Sequence, residues 1–267
     1  MMEKAGKSCA LTIAGSDSGG NAGVQADLRA FHAYGVHGCT VFAALTAQNP
    51  FGVSAIYPVA PDFVQAQLEA VLGVYNIGAL KTGMLATGEL IEAVAEELQS
   101  HPEIQKVIDP VMIATSGAKL IEDPAIAVLK RSLLPLATVI TPNLMEAREL
   151  AGMAGEEDAR LLARALYDRF GVGVIVKGGH SDDRKDSVDV LFDGRELCEF
   201  GAPRLENPIS THGTGCSFAA AMAAELTLGS TLREAVKGAK EYVFRAIRDS
   251  YLVGKDCGVL GFERMRG

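Results

Sequence analysis

Short apolar runs alternate with amphipathic helical spacing almost to the end of this 267-residue chain, and that alternation restricts it to few folds. A repeated β-then-α order buries both faces of a mainly parallel sheet under helices. Cys9 to Ala14 reads as a first, fully buried strand, after which Val24, Leu28 and Phe31 recur at helical spacing. Gly38 to Ala43, Ile77 to Lys81, Lys106 to Asp109, Thr138 to Ile140 and Val172 to Val176 read as further strands, with Val53 to Tyr57 as a short edge element. Pro61 opens a helix through Phe63, Val64, Leu68 and Leu72, and Glu89 to Leu98 forms another. Asp123-Pro124 and Thr141-Pro142 are expected to cap two more. Ser187 to Phe192 and Glu196 to Phe200, joined by Asp193-Gly194, carry the only hairpin signal. Helices from Thr214 to Leu226 and from Thr231 to Tyr251 finish the pattern, with no linker, repeat or low-complexity block. The expectation is one α/β domain over residues 1–267, with ligands at the carboxyl ends of the strands.

The charge balance narrows the partners. The net charge is −8 and no run of basic residues occurs, which argues against nucleic acid but leaves room for a small anionic ligand held by local donors. Five cysteines (Cys9, Cys39, Cys198, Cys216 and Cys257) include no CxxC pair and leave one over in any disulfide scheme, the pattern of a reducing compartment. No HExxH or zinc spacing is present. The apolar stretch before Gly15 is too short for a signal peptide or membrane span, so no membrane and a cytoplasmic location are expected.

Thr211-His212-Gly213-Thr214-Gly215-Cys216 leads directly into Ser217-Phe218-Ala219-Ala220-Ala221-Met222. Small and turn-forming residues before a helical run describe a helix N-terminus with bare N–H groups, suited to an anion. Gly213 and Gly215 admit a phosphate close to the backbone, and the helix dipole is expected to lower the pKa of Cys216. A glycine-rich loop entering a core helix, with Cys216 as a small hydrophobe, fits the same residues.

Gly15-Ser16-Asp17-Ser18-Gly19-Gly20-Asn21-Ala22-Gly23 follows the first strand but matches neither the dinucleotide fingerprint nor the P-loop. Gly6-Lys7-Ser8 has a P-loop tail, with Met1 where the first glycine belongs. The glycine loop suits packing against a flat ligand or a plain turn. The Gln48 carboxamide presents a donor and an acceptor, which matches an aminopyrimidine edge, although Ala47-Gln48-Asn49-Pro50 is also turn-forming. Lys81-Thr82-Gly83-Met84 and Asp109-Pro110-Val111-Met112 each end a strand, where Asp109 suits Mg²⁺-bound water and Met84 a ring, or both serve capping and packing. Glu146, in Asn143-Leu144-Met145-Glu146, sits in a first turn where the dipole alone favours an acid. Lys177-Gly178-Gly179-His180 leaves a buried strand, placing Lys177 toward a phosphate or toward solvent.

Taken in order these segments resemble the ribokinase-like superfamily and, within it, the hydroxymethylpyrimidine/phosphomethylpyrimidine kinases. The resemblance is carried by Ala10 to Asp17, Ala22 to Leu28, Lys81 to Leu85, Asp109 to Met112, Thr141 to Leu144, Val176 to His180 and Thr211 to Cys216, and spans about residues 9 to 250. It implies a three-layer α/β/α sandwich that phosphorylates 4-amino-5-hydroxymethyl-2-methylpyrimidine and then its monophosphate, using ATP and Mg²⁺. By the same resemblance Gln48, Gly15, Asp27, Met84 and Val111 contact the pyrimidine, and the backbone from Gly213 through Thr214 and Gly215 to Cys216 holds the transferred phosphoryl. Asp109 and Glu146 hold Mg²⁺, Lys177, Lys240 and Asn143 lie by the nucleotide, and a homodimer is implied. Sugar kinases of the superfamily carry an aspartate base where Cys216 stands. Ser18-Gly19-Gly20-Asn21 and the tail Gly254-Lys255-Asp256-Cys257-Gly258 depart from the family pattern.

Three other readings remain at this stage. A pyridoxal kinase shares the cysteine-bearing helix start, but Gln48 favours the pyrimidine. A cysteine hydrolase pairing Cys216 with His212 lacks a G-x-C-x-G elbow. A non-catalytic metabolite-binding protein uses the same fold.

Overall fold

The computed structural model of the chain describes residues 7–112, 121–178, 186–262 and 265. Gly6, Gly179 and His180, named above, lie outside the described residues. Strand β1 (Cys9–Gly15) passes through the glycine loop into α1 (Gly23–Ala33). Then come β2 (His37–Asn49), β3 (Gly52–Pro58), α2 (Pro61–Leu72), β4 (Ile77–Thr82), α3 (Gly88–Gln99) and β5 (Gln105–Ile108). The middle of the chain supplies α4 (Asp123–Val128), β6 (Val139–Ile140), α5 (Leu144–Ala151), α6 (Ala159–Phe170) and β7 (Gly173–Val176). The last part contains β8 (Asp186–Phe192), β9 (Leu197–Pro203), α7 (Thr214–Thr227), α8 (Leu232–Arg248), β10 (Tyr251–Val253) and β11 (Cys257–Val259).

Strands β1 to β9 form one sheet in the order β3-β2-β1-β4-β5-β6-β7-β8-β9. From β2 through β7 neighbouring strands pair parallel, while β3, β8 and β9 each join antiparallel. The two-residue periodicity of the strands sorts side chains to the two faces. Leu11, Ile13, Leu80, Ile108, Ile140, Val174 and Val176 pack with α2 to α6, whereas Ala10, Ala79, Val107, Val139 and Ile175 face α1, α7 and α8. Helix α7 is buried almost all round, and its Ala219 to Ala221, Ala223 and Ala224 let it lie close to the small residues Ala10 and Ala79. This is the expected three-layer α/β/α arrangement with a mainly parallel sheet.

Several local expectations need correction. Gln48 and Asn49 are not in a loop after the second strand, because β2 runs on to Asn49 and turns at Pro50-Phe51 into β3, making a second hairpin. The residues after β6 form α5 and α6, where a single helix is expected, because Gly152 ends the first with a left-handed cap. Thr141 does not cap α5. Asn143 does, in a capping box with Glu146. Glu122 stands at the cap position of α4, and Asp123 lies in its first turn. The final helix stops at Arg248, and Tyr251 begins the small β10–β11 hairpin.

Candidate active site

The strand order reverses around β1, whose connection leads to β2 on one side while the chain from β4 onward builds the other side. A crevice opens at such a point above the carboxyl ends of the strands. Backbone bonds continue past those ends and fix the loops against one another: Gly15 donates to the Met84 carbonyl, Asp109 to Thr82, Thr141 to Ile108 and Lys177 to Pro142. The sequence motifs therefore line up across the sheet as Gly15, Met84, Asp109, Asn143 and Lys177, in strand order.

Asp109 is buried, and its Oδ1 accepts from Thr141 Oγ1 and from Lys177 Nζ, both at 3.0 Å. Its Oδ2 has no partner among the described residues and faces the start of α7. A Cβ built on Gly215 would lie 4.0 Å from that oxygen and 3.5 Å from Lys177 Nζ. Glu146 is also buried, with Oε1 accepting from the Met112 N–H (3.1 Å) and Oε2 from the Asn143 N–H (2.9 Å). Burial pushes the Glu146 carboxyl up; Lys177 pulls it down, Asp109 adds to the rise, and the two N–H groups oppose it. Burial works against the Lys177 ammonium too, but Asp109 and then Glu146 hold it above the ordinary lysine value. Two carboxylates thus share one cation, an excess of negative charge suited to a further positive ion.

At the start of α7, Gly213 has φ 88°, and a Cβ there would sit 1.9 Å from the Asn21 carbonyl oxygen. Only glycine brings the helix start this close to the glycine loop. The Thr214 N–H leans on the Thr211 carbonyl at 3.4 Å, while those of Gly215 and Cys216 have no acceptor among the described residues. These N–H groups are the unpaired donors expected at this helix start, and their geometry is compatible with an anion. The thiol departs from expectation. Burial raises the Cys216 pKa against the pull of Lys81, the acids Asp27 and Asp109 add to the rise, and the Gly23 N–H opposes it without reversing it.

The glycine loop is folded around Asp17, whose Oδ1 accepts from the Gly19 N–H (2.8 Å) and Oδ2 from those of Asn21 (2.9 Å) and Ala22 (2.8 Å). Burial would raise this carboxyl, but His212 and the Ala22, Asn21 and Gly19 N–H groups leave it lowered. Ser18 exchanges two bonds with the Gln48 backbone, tying the loop to β2. Gln48 is half-buried, its Oε1 accepts from Thr46 Oγ1 at 3.2 Å, and its Nε2 has no partner among the described residues. Met84 folds over Gly15, with its Cε 2.6 Å from where a Cβ would stand. Val111 has φ 37°, a strained conformation for a β-branched residue and one that clusters at functional sites.

Asp27, expected among the substrate contacts, is instead wholly buried beneath the site, with both oxygens taken. Lys81 Nζ lies 3.0 Å from Oδ1 and 2.9 Å from Oδ2, and Thr12 Oγ1 donates to Oδ2 at 2.6 Å. Burial pulls the Lys81 ammonium down, but Asp27 foremost, then Cys216 and Asp109, hold it above the ordinary lysine value. Lys240 is not in the cluster either. Its ammonium binds Asp189 Oδ2 (2.9 Å) and Ser187 Oγ (3.0 Å), and Asp189 Oδ1 accepts from the Gly178 N–H at 2.9 Å, so Lys240 braces the segment that carries Lys177. Lys81, Thr141 and Asp17 are the participants that the motifs alone do not single out, and His212, weighed there only as a partner for Cys216, lies instead toward Asp17. A lysine inside the apolar run Ile77 to Thr82 is the one available signal, because such a residue must find a buried partner.

This fold is shared with kinase structures. The pyridoxal kinase of Bacillus subtilis, in its ADP complex, superimposes with a TM-score of 0.88 at 35% identity over 97% of this chain and 99% of that one. A phosphomethylpyrimidine kinase structure from Clostridium difficile gives 0.79 at 36% identity, over 90% of this chain and 100% of that one. Both are kinases built on a ribokinase-like sheet. Residues 17–261 match the family model described as phosphomethylpyrimidine kinase, and the chain belongs to that family. It is 45% identical to the hydroxymethylpyrimidine/phosphomethylpyrimidine kinase of Haemophilus influenzae, over 93% of this chain and 94% of that protein. It is 47% identical to the thiamine biosynthesis bifunctional protein of Geobacter sulfurreducens, of which it spans 51%.

Proposed function

We propose that the chain phosphorylates 4-amino-5-hydroxymethyl-2-methylpyrimidine and then the resulting monophosphate, with ATP as donor, in thiamine biosynthesis. The observation that carries this reading is the convergence of Lys177, Asp109 and the free N–H groups of Gly215 and Cys216 beside the loop that Gln48, Gly15 and Met84 close. Gln48 offers its carboxamide to the aminopyrimidine edge, and Met84 and Val111 provide apolar contact for the ring. Structures of relatives in complex with ADP and the ATP analogue AMP-PCP support a nucleotide as donor, with Lys177 and its bridged neighbour Asn143 on that side and Lys240 bracing Lys177 from behind.

Phosphoryl transfer asks little covalent chemistry of a protein. Positioning and stabilisation of spreading charge do most of the work. Lys177 offsets charge on the transferred group, and the α7 N–H groups receive the developing oxyanion charge in a preorganised site. Three or more metal-ligating side chains do not gather anywhere among the described residues. Mg²⁺ bound with a nucleotide needs only one or two carboxylates, and the unpartnered Asp109 Oδ2 with the acid excess at Glu146 fits that demand. Asp109 and Glu146 would hold the ion, which when bound neutralises phosphate charge. Leu45, Phe51, Ile56 and Tyr57, exposed on the β2–β3 edge, support a homodimer through that edge. No described helix is long and apolar enough to cross a membrane.

ADP release by the purified protein with Mg-ATP, offered the pyrimidine alcohol, its monophosphate and pyridoxal separately, tests the reading. Turnover of both pyrimidines with little pyridoxal turnover is expected. Pyridoxal turnover alone would overturn it, as would ATP-independent hydrolysis or ligand binding without ADP.

A further inference from the structure

The reading above leaves one side chain beside the site, His212, without a task. His212 immediately precedes Gly213, at the mouth of the proposed anion site, and its ring Nε2 is sheltered from solvent with no hydrogen-bond partner among the described residues. That nitrogen lies 3.8 Å from Asp17 Oδ2, beyond hydrogen-bond range by several tenths of an ångström. Asp17 is 1% exposed and is the hub of the glycine loop, accepting from Gly19, Asn21 and Ala22 while its own N–H donates to Gln25 Oε1 at 2.8 Å. The two loops already touch where Gly213 meets the Asn21 carbonyl. The His212 backbone N–H is held by Ser210 Oγ at 3.3 Å, which fixes the base of the side chain.

An unpartnered ring nitrogen aimed at a carboxylate across a loop junction is an incomplete contact. We propose that His212 is a positioning residue: the two loops close the remaining gap before substrate arrives, so that its Nε2–H donates to Asp17 Oδ2 and locks the glycine loop to the start of α7. The contact joins the loop that holds the substrate ring to the N–H groups that receive the phosphoryl. It sets the distance between the two reacting groups without touching either. Asp17 orders the glycine loop from within, and His212 transmits that order to the neighbouring loop.

The proposal deepens the kinase reading and rests on it for the kinetic test, but its structural half can be tested without substrate. Two variants separate donor from shape: His212→Ala removes the ring, and His212→Gln keeps an N–H donor of similar reach. In the free protein, amide hydrogen exchange at Gly19, Asn21 and Ala22 is expected to speed up about tenfold in H212A and to return toward wild type in H212Q. With substrates, H212A is expected to raise the KM for the pyrimidine alcohol about tenfold while the KM for ATP stays within about twofold, and H212Q recovers most of the loss. Unchanged exchange in H212A overturns the proposal, as does an H212Q variant that behaves like H212A. An ATP KM that rises as much as the pyrimidine KM overturns it too, because the histidine would then serve the nucleotide. If the wild type turns over no pyrimidine, the kinase reading fails and the exchange result still decides whether the contact exists.

Discussion

Asp27 and Lys81 are both wholly buried, and a buried ion pair is costly to assemble but costlier to break. Removing Lys81 leaves the carboxylate with Thr12 alone in an apolar layer. Lys81→Met is therefore expected to destabilise the protein by about 3–5 kcal/mol, and Lys81→Met with Asp27→Leu to recover much of that loss. Urea unfolding of the single and double variants measures both, and a double variant no better than the single would show that packing, not the orphaned charge, sets the cost. Cys216 lies in the field of the same pair and of Asp109. At this position a neutral thiol lets an already anionic phosphate oxygen approach as the second nucleophile, whereas a carboxylate would repel it. Cys216→Asp is expected to lose the monophosphate reaction at least tenfold more than the alcohol reaction, measured as the ratio of the two kcat/KM values. Equal losses would remove charge from the explanation.

Helix α7 works through its first turn, so the geometry of its entry matters more than its length. Gly213→Ala forces a side chain into the left-handed region, at a cost of about 1–2 kcal/mol, and pushes the helix start away from the Asn21 carbonyl. Because the same turn carries the free N–H groups, turnover is expected to fall about 10²–10³-fold while the thermal midpoint drops by only a few degrees. A variant that loses stability and activity in proportion would place Gly213 in the fold alone. This element was legible in the sequence because its signals are local: glycines, a short polar loop, then an apolar helical run. The central parallel strands were legible for the same reason, each a short apolar block. The β2–β3 hairpin was not, since its turn at Pro50-Phe51 lacks the Asn-Gly or Asp-Gly signature, and the register shift between Ala47 and Gln48 that re-aims Gln48 leaves no mark on composition. The burial and pairing of Asp27 were not legible, for a non-local reason. Its partner Lys81 is 54 residues away on β4, and the two meet only because α1, which carries Asp27, packs over β1, whose Thr12 is in register with Lys81.

Across the whole molecule, the charges around the crevice set the pH range in which the fold is secure. The Asp17 carboxyl is lowered in the folded state, so its contribution is complete above the ordinary value of 3.8 and is lost as the pH falls through the depressed one. Lys81 and Lys177 are raised, so their contributions are complete below 10.5 and are lost as the pH rises through the higher folded values. Between these limits none of the three changes protonation on unfolding, and their combined effect is a plateau from about pH 5 to pH 9. Urea midpoints measured from pH 3 to pH 11 test this for the wild type and Asp17→Asn. The wild type is expected to lose stability below about pH 4, and the variant, already weaker on the plateau, to lose less there because the titrating group is gone. Parallel acid limbs for the two proteins would assign the acid loss to other carboxylates, and an alkaline decline beginning near pH 8 would mean that neither lysine is protected as its partners require. The glycine loop held by Asp17 and the cluster held by Lys177 then lose their order from opposite ends of the pH scale, so turnover of the pyrimidine should fall at both limits along with the fold.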